Sequence, residues 1–398
     1  MFESIYNYVS NTFLSPESKY FFLIFVLFIF PKFFTRFGVP QALISFVFGI
    51  FCSQSLNLFE HDPTVKILAS LGIISLFLYA GLEIDFTELK KYKKILFGHI
   101  FFRLISCTIV AFTTAHVFEI EYRTAAILSL ALLTPSAGFI LDSLEGSKSL
   151  HQLDKFWIKI KAISGEIAAL LAMLVLVNSS SIFDISIATL VLILMFVFIP
   201  RVFSYFSKVI APYAPRSEFG FLLLMAIACG ILTKKLGVYY LVGAFAVGVA
   251  GRIFEGKYIS AQGLMKSVKL FSSFFVPFYF FQAGLSISRE AFSVEALAYG
   301  LLFIVTVIPL RLSSVIIHRK ASLKETLVES FPIATALIPN LVFGLVLADI
   351  LLNVFVIPQK LYGALIVYTI ATSFMPPLLN IFLHLKLKDK IEQNITNA

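Results

Sequence analysis

The sequence predicts an all-α integral membrane protein with about 13 transmembrane helices. Of its 398 residues, 59% are hydrophobic and 14% are charged, which leaves too few polar side chains to cover a water-soluble globule. Apolar stretches of the roughly 20 residues needed to cross a bilayer follow one another along almost the whole chain. Residues 1–398 are therefore expected to form a single transmembrane domain.

Thirteen spans, separated by short charged segments, account for these stretches. They are predicted near 19–37, 39–56, 64–82, 95–118, 123–143, 156–178, 182–207, 218–234, 237–253, 268–287, 296–317, 327–350 and 361–384. Far more lysines and arginines lie on the side that bears the C-terminus, so the positive-inside rule places the N-terminus outside and the C-terminus in the cytoplasm. The net charge of +9 thus reflects topology in the cell (inner) membrane and indicates no nucleic-acid partner.

The three cysteines, Cys52, Cys107 and Cys229, lie in apolar stretches and lack the spacing of a zinc site. The sequence also lacks the motifs of metalloproteases and serine hydrolases. It therefore predicts no disulfide framework, no resident metal, no cofactor and no enzymatic activity.

The two halves of the chain share residues at a nearly constant offset of about 200 positions. The pairs are Ser18 and Ser217, Gly38 and Gly237, Gly49 and Gly248, Gly81 and Gly284, Arg103 and Arg311, and Pro135 and Pro339. This offset corresponds to seven spans, an odd number, so the second copy is expected to be inverted. The predicted plan is a first repeat at 18–178, a linker helix at 182–207 and an inverted repeat at 217–384, which is typical of transporters.

Proline interrupts two corresponding spans, the fifth at Pro135 and the twelfth at Pro339. Proline removes a backbone donor and clashes with the preceding turn, so both helices are expected to break at the membrane midplane. Half-helix ends at that depth can coordinate ions or stabilise fixed charges. A pair of ordinary proline kinks is the alternative, because proline is common in membrane helices.

Glu166 lies near the middle of the sixth span, without another carboxylate close to it in sequence. A charged carboxylate at the bilayer centre costs at least about 3 kcal/mol, so binding of a proton or a cation stabilises it. Competition between the two would couple their movement if the site faced each side of the membrane in turn. The alternative is a structural acid that stays protonated or pairs with an arginine.

Two arginines, Arg103 and Arg311, lie inside the fourth and eleventh spans, where a guanidinium keeps its charge and has to find a partner. We interpret both as structural charge compensation. His99, near the start of the fourth span, is either a proton relay or a hydrogen-bonded packing residue.

Five segments resemble the cation:proton antiporter-2 family, which contains bacterial sodium/proton antiporters and glutathione-gated potassium efflux systems. They are 78–85, 133–137, 166–169, 241–248 and 280–285. The resemblance implies an antiporter that exchanges a monovalent cation, Na⁺ or K⁺, for protons by alternating access, and that forms a homodimer in the lipid bilayer.

In that family a pair of polar residues in the sixth span ends in the aspartate that carries cation and proton. Gly165 and Glu166 match these positions, so the resemblance assigns ion and proton binding to Glu166, while the first polar position is lost. Thr134 and Asn340 match the two helix breaks. Ser164, next to the pair, is a further candidate ligand.

Arg311 matches the family's basic residue in the second repeat, and together with a single ionisable carboxylate it implies electroneutral exchange. No C-terminal nucleotide-binding domain is expected, because the sequence given ends soon after His384. Two alternatives stay open. One is a potassium efflux channel or uniporter on the same fold, suggested by Gly165, and the other is a transport-inactive membrane sensor that binds a partner through loops such as 142–156.

Overall fold

The computed structural model describes residues 16–35, 39–56, 58–59, 61–145, 150–178, 182–214, 217–235, 240–254 and 261–375. Within these ranges the chain is built from helices and contains no strand, which confirms the predicted all-α fold. The end of the thirteenth predicted span, both residues of the Gly38 and Gly237 pair, His384 and part of the loop 142–156 lie outside the described residues.

The α-helices of the described part follow one another in chain order. They are α1 (Pro16–Phe28), α2 (Phe30–Thr35), α3 (Gln41–Phe51), α4 (Pro63–Leu82), α5 (Phe86–Lys91), α6 (Lys93–Phe118), α7 (Tyr122–Leu133), α8 (Ala137–Glu145), α9 (Gln152–Asn178), α10 (Ile182–Tyr205), α11 (Glu218–Lys235), α12 (Tyr240–Phe254), α13 (Ala261–Leu285), α14 (Val294–Leu323), α15 (Leu327–Ala336), α16 (Leu341–Asn353) and α17 (Gln359–Ser373). Shorter π-helical turns lie at Cys52–Leu56 and Phe206–Ile210, and a 3₁₀ turn at Arg289–Phe292.

Each predicted span coincides with a helix or with a broken helix of the described part. Seven of these spans, or eight if α15 and α16 count as one bent span, are long and apolar enough to cross a membrane. This finding supports a multi-pass membrane protein. The count of 13 spans remains a prediction.

Most helices of the described part belong to two groups. Helices α3, α4, α12 and α13 pack on one another in the first group. The second group contains the two helix breaks and consists of α6, α7, α8, α9, α14, α15, α16 and α17. Within the first group, α4 begins where the Asp62 side chain accepts hydrogen bonds from the backbone nitrogens of Thr64 and Val65. Its 20 residues extend over about 30 Å, which is the thickness of the hydrocarbon core.

Glycines bring the helices of the first group into backbone contact. A methyl group on Gly49 would overlap the carbonyl of Phe281 near Gly284, and one on Gly81 would overlap the carbonyl of Phe245 near Gly248. Small residues permit such close approach of membrane helices. The sequence pairs Gly49 with Gly248 and Gly81 with Gly284, so an inverted repeat would exchange one contact with the other. The repeat itself remains a prediction.

Candidate ion site at two crossed helix breaks

Two helix breaks meet in the second group of helices. Residues 134–136 separate α7 from α8, and residues 337–340 separate α15 from α16, where the chain bends by 51°. The backbone nitrogen of Ser136 donates to the carbonyl of Pro339 over 2.9 Å. The breaks therefore lie at the two prolines that the sequence singled out, and they contact each other.

Side chains from each break satisfy backbone groups of the other. The Ser136 hydroxyl oxygen accepts from the nitrogens of Val342 at 2.9 Å and Phe343 at 3.3 Å, at the N-terminus of α16. Asn340 Nδ2 donates to the carbonyl of Ala131 near the end of α7, over 2.7 Å. The helix termini that the prolines free are thus capped by the opposite break. Sequence reasoning missed Ser136, although it stands directly after Pro135.

The two arginines bind carbonyls at the C-terminal ends of the half-helices. Arg311 Nη1 donates to Leu132 O and Arg311 Nη2 to Leu337 O, each over 2.9 Å, and Arg103 Nη2 donates to Leu133 O. A cation at a helix C-terminus is favourable because of the helix dipole. Both arginines thus have helix ends as hydrogen-bond partners, and their role in charge compensation remains a prediction.

The Glu166 side chain binds the N-terminus of a half-helix. Glu166 lies in α9 with 4% of its surface exposed, and its Oε1 accepts from the backbone nitrogen of Ala137, the first residue of α8, over 2.7 Å. Among the described residues it forms no ion pair with Arg103 or Arg311. A negative charge at a helix N-terminus is favourable, so the break holds the carboxylate without neutralising it.

Oxygen atoms near Glu166 differ in their hydrogen bonds. Thr134 is 1% exposed, and its hydroxyl has no partner within the described part of the chain. The Ser164 hydroxyl donates to the Lys161 carbonyl of its own helix over 3.0 Å, and Asn340 Oδ1 accepts from the Thr372 hydroxyl over 2.6 Å. Of the predicted ligands, Thr134 is thus the one whose hydroxyl is uncommitted.

Gly165 has a structural reason to lack a side chain. A methyl group at this position would overlap Nη1 of Arg103 and lie 3.4 Å from Cγ of Pro135. The space that a polar side chain would need is therefore occupied by the guanidinium.

A buried basic cluster lies at the start of α9, and sequence reasoning missed it. Lys161 is completely buried, and its Nζ lies 3.1 Å from Nδ1 of His318 in α14. The His318 ring lies 5.6 Å from the ring of His99, whose two nitrogens have no hydrogen-bond partner among the described residues. No described residue supplies the hydrogen bond that the packing interpretation of His99 expects, so both interpretations of His99 remain predictions. The nearby Arg319 binds Glu325 through Nε and Nη2.

Cavities lie at both ends of α4. One of about 410 Å³ is lined by Lys66, near the start of α4, and by Asp349 and Tyr362. Another of about 460 Å³ is lined by Glu83, just after the end of α4, and by Lys155. The two cavities therefore lie at opposite ends of a helix that is long and apolar enough to cross a membrane.

Comparison with known proteins identifies the family. The profile of the family described as "Sodium/hydrogen exchanger, transmembrane" matches residues 22–381. The chain belongs to this family. Its members are transporters, so the expectation of cation/proton exchange is confirmed, and the expectation that the chain is no enzyme agrees with the family's role.

Individual relatives span most of the chain. The "Na(+)/H(+) antiporter" of Enterococcus hirae is 21% identical over 364 residues, covering 86% of this chain and 91% of the relative. The "Probable Na(+)/H(+) antiporter 3" of Methanocaldococcus jannaschii is 24% identical over 309 residues, covering 74% and 78%. The structure of the sodium proton antiporter MjNhaP1 from the same organism, at pH 8, superposes with a TM-score of 0.65 at 15% identity, covering 90% and 93%. This likeness confirms the antiporter fold.

One part of the expected resemblance has to be corrected. The matches name sodium/proton antiporters and give no support to a likeness with glutathione-gated potassium efflux systems. Two of the five segments that suggested that likeness, 133–137 and 166–169, lie at the first helix break and at Glu166, while the other three lie at the end of α4, in α12 and in α13. Potassium as a substrate and a potassium efflux channel therefore lack support.

Proposed function

We propose that the protein exchanges sodium ions for protons at the carboxylate of Glu166. The observation that carries this proposal is the position of Glu166, which is buried, caps α8 at a helix break and makes no ion pair with Arg103 or Arg311. An intramembrane carboxylate in such a place is costly while it is charged and empty. Uptake of either a proton or a sodium ion removes this cost.

The surroundings of Glu166 suit a small hard cation. One carboxylate oxygen is oriented by the nitrogen of Ala137, and a carboxylate retains further acceptor capacity. Hard cations prefer oxygen ligands, and the uncommitted Thr134 hydroxyl belongs to the same break. We propose Glu166 and Thr134 as direct ligands, with water completing the shell.

Ser164 and Asn340 have different proposed roles. The Ser164 hydroxyl donates to the Lys161 carbonyl within its own helix. Its oxygen can still accept or bind a cation, so Ser164 remains a candidate ligand. The Asn340 amide joins the end of α7 to Thr372. We propose Asn340 as a positioning residue that fixes the two breaks against each other, together with Pro135 and Pro339.

Charge conservation supports one-for-one exchange. The guanidinium groups of Arg103 and Arg311 stay protonated and are held by helix ends, which leaves Glu166 as the group that alternates between proton and sodium. Replacing one monovalent cation by another leaves the charge of the site unchanged. The proposed cycle is therefore electroneutral, and the membrane potential should not drive it.

Alternating access is supported by the two cavities at opposite ends of α4. The first cavity is bounded by α4 and α13 on one side and by α16 and α17 on the other. The second is bounded by Glu83 and α5 on one side and by α8 and α9 on the other. Sliding of the second group past the first would connect Glu166 with either cavity in turn. Half-helices at the centre of a moving group are typical of such transporters.

The test is sodium-driven proton movement in sealed proteoliposomes with an internal pH dye and a clamped membrane potential. Wild-type protein should move protons on addition of Na⁺, and Glu166→Gln should abolish the signal, because the amide neither titrates nor balances a cation. Glu290→Gln is the control, since Glu290 is exposed in the 3₁₀ turn.

Proton movement that persists in a folded Glu166→Gln protein would overturn the assignment of the site. Cation current without proton movement would indicate a channel instead. Silence of the wild-type protein in both assays would favour the transport-inactive sensor.

We propose the single transmembrane domain as one transport unit with repeats at 18–178 and 217–384 joined by the helix at 182–207. We further propose that it works as a homodimer in the inner membrane, with its N-terminus outside. Labelling of single cysteines introduced at the exposed positions Lys91 and Lys360, which lie on predicted opposite sides, tests this orientation. A membrane-impermeant maleimide should reach only position 360 from outside intact cells.

A further inference from the structure

A small buried cavity lies between α6 and α14, beside the C-terminal ends of α7 and α15. Its volume is about 30 Å³, and its polar lining residues are His99, Arg103, Ser106, Arg311 and Ser314. It is separate from the larger cavities at the ends of α4. It adjoins the first helix break, because Leu133 and Pro135 also line it, but none of the proposed sodium ligands does.

Polar groups in this lining lack partners in the described part of the chain. His99 is 4% exposed and both of its ring nitrogens are unpaired, and Nη1 of Arg103 is buried without a hydrogen bond. A buried polar group left without a partner costs about 1–3 kcal/mol. Polar cavities of this kind are filled by a species that can accept the hydrogen bonds.

The charge of the lining favours an anion. Two guanidinium groups line the cavity, and its lining contains no carboxylate. The carbonyl ends of α7 and α15 carry about −0.5 charge each, so together they offset about half of the two positive charges. About one positive charge is left. Glu166 forms no ion pair with either arginine, although while it is charged it attracts Arg103 from a distance.

Neighbouring charged groups do not remove this excess. The ring centroids of His318 and His99 are 5.6 Å apart, and His318 is hydrogen-bonded to Lys161. Lys161 is a basic residue, so it supplies no negative charge. The next carboxylate in this direction, Glu325, is committed to Arg319. During transport Glu166 carries a proton or a sodium ion, so its own charge is neutralised in both loaded states.

We propose that this cavity binds one monatomic monovalent anion of the size of chloride, held by Arg103 and His99. A volume of about 30 Å³ is small and favours a monatomic ion over sulfate, phosphate and organic anions. The anion balances the arginines that hold the ends of the broken helices. Chloride is therefore a structural ligand of the exchanger core rather than a transported ion.

The test is thermal unfolding of the purified full-length protein at constant pH and constant sodium concentration, with chloride replaced stepwise by gluconate. Chloride should raise the unfolding midpoint by several degrees in a saturable manner, and bromide should substitute for it. An equal effect of sulfate at matched ionic strength would show a general salt effect and overturn the proposal. So would the absence of any chloride effect, which is what a water-filled cavity predicts.

Two variants locate the effect. His99→Leu, which removes the ring nitrogens from the cavity wall, should lose the chloride-dependent shift, while His116→Leu on the exposed face of the same helix should keep it. If His99→Leu does not fold, Ser106→Val serves the same purpose on the cavity wall. A shift that is unchanged in a folded cavity variant would place the anion elsewhere.

Crystals grown with bromide provide a direct test of the position. A bromide anomalous-scattering peak between Arg103 and His99 would establish the site, and a peak confined to other positions would contradict it.

Discussion

Gly165 lies directly against the guanidinium of Arg103, and a methyl group on this glycine would overlap Nη1 of the arginine. The arginine in turn donates to the carbonyl of Leu133, next to the break that holds Glu166. The absence of a side chain at position 165 is thus linked to the guanidinium of Arg103 in α6. A side chain at position 165 and the observed position of Arg103 therefore exclude each other.

Gly165→Ala should destabilise the folded protein, because either the methyl group or Arg103 has to move. Overpacking of this kind costs typically about 1–3 kcal/mol, and displacement of Arg103 should also lower the rate of sodium-driven proton movement. Thermal unfolding and the proteoliposome assay measure the two effects. Gly220→Ala is the matched control, because nothing lies within 4 Å of a methyl group there and alanine favours the helix. Equal stability of the two variants would contradict the proposed pairing.

Thr134→Val should weaken sodium binding without weakening the fold. The Thr134 hydroxyl has no partner to lose in the described part of the chain, and valine has nearly the same shape. Loss of one oxygen ligand should raise the sodium KM about tenfold, which corresponds to roughly 1.4 kcal/mol. Thr114→Val is the control, since that hydroxyl binds the Val110 carbonyl within α6. An unchanged KM in Thr134→Val would exclude Thr134 as a ligand.

The broken helices and Glu166 could be predicted because their signals are local. A proline acts on the turn that contains it, and a carboxylate in a long apolar stretch is conspicuous by itself. The position of Glu166 at the N-terminus of α8 was not predictable, because it depends on how α9 packs against the break. The same holds for Ser136, whose partners Val342 and Phe343 belong to the other half of the chain.

The buried basic cluster shows why charge counting alone is insufficient. Lys161 stands near the cytoplasmic end of the sixth predicted span, where the positive-inside rule expects basic residues, but its contact with His318 joins residues 157 positions apart. Arg319, also fully covered, binds Glu325 beyond the end of α14. The hydrophobic periodicity of α9 and α14 does not predict these contacts. The loss of the polar residue at position 165 is likewise explained only by Arg103.

Tyr368→Phe should lower the stability of the crossed breaks. The Tyr368 hydroxyl accepts from Arg311 Nη1 at 3.1 Å and donates to Leu132 O at 3.0 Å, so phenylalanine removes two buried hydrogen bonds at a cost of about 1 kcal/mol. Arg311→Met should cost more, because Leu337 O loses its donor. In a double-mutant cycle the two changes should couple by at least about 0.5 kcal/mol. Tyr362→Phe on the same helix is the control, and additive effects of Tyr368→Phe and Arg311→Met would contradict a shared network.

Asp62→Asn should make the free energy of unfolding less dependent on pH in the acid range. Burial opposes ionisation of Asp62, but hydrogen bonds from Tyr20, Val65 and Lys19 outweigh it and hold the pKa of this carboxyl below its ordinary value of 3.8. Because the folded-state pKa is lowered, the stabilisation is complete well above pH 3.8 and is lost as the pH falls through the folded-state pKa. We expect the variant to unfold more easily than the wild type by about 1 kcal/mol at pH 7, and the difference to shrink below about pH 4. Thermal unfolding across this range measures it, and Glu290→Gln should show no such convergence. A difference that stays constant down to pH 3 would mean that the charge of Asp62 contributes nothing and that only the cap geometry at the start of α4 matters.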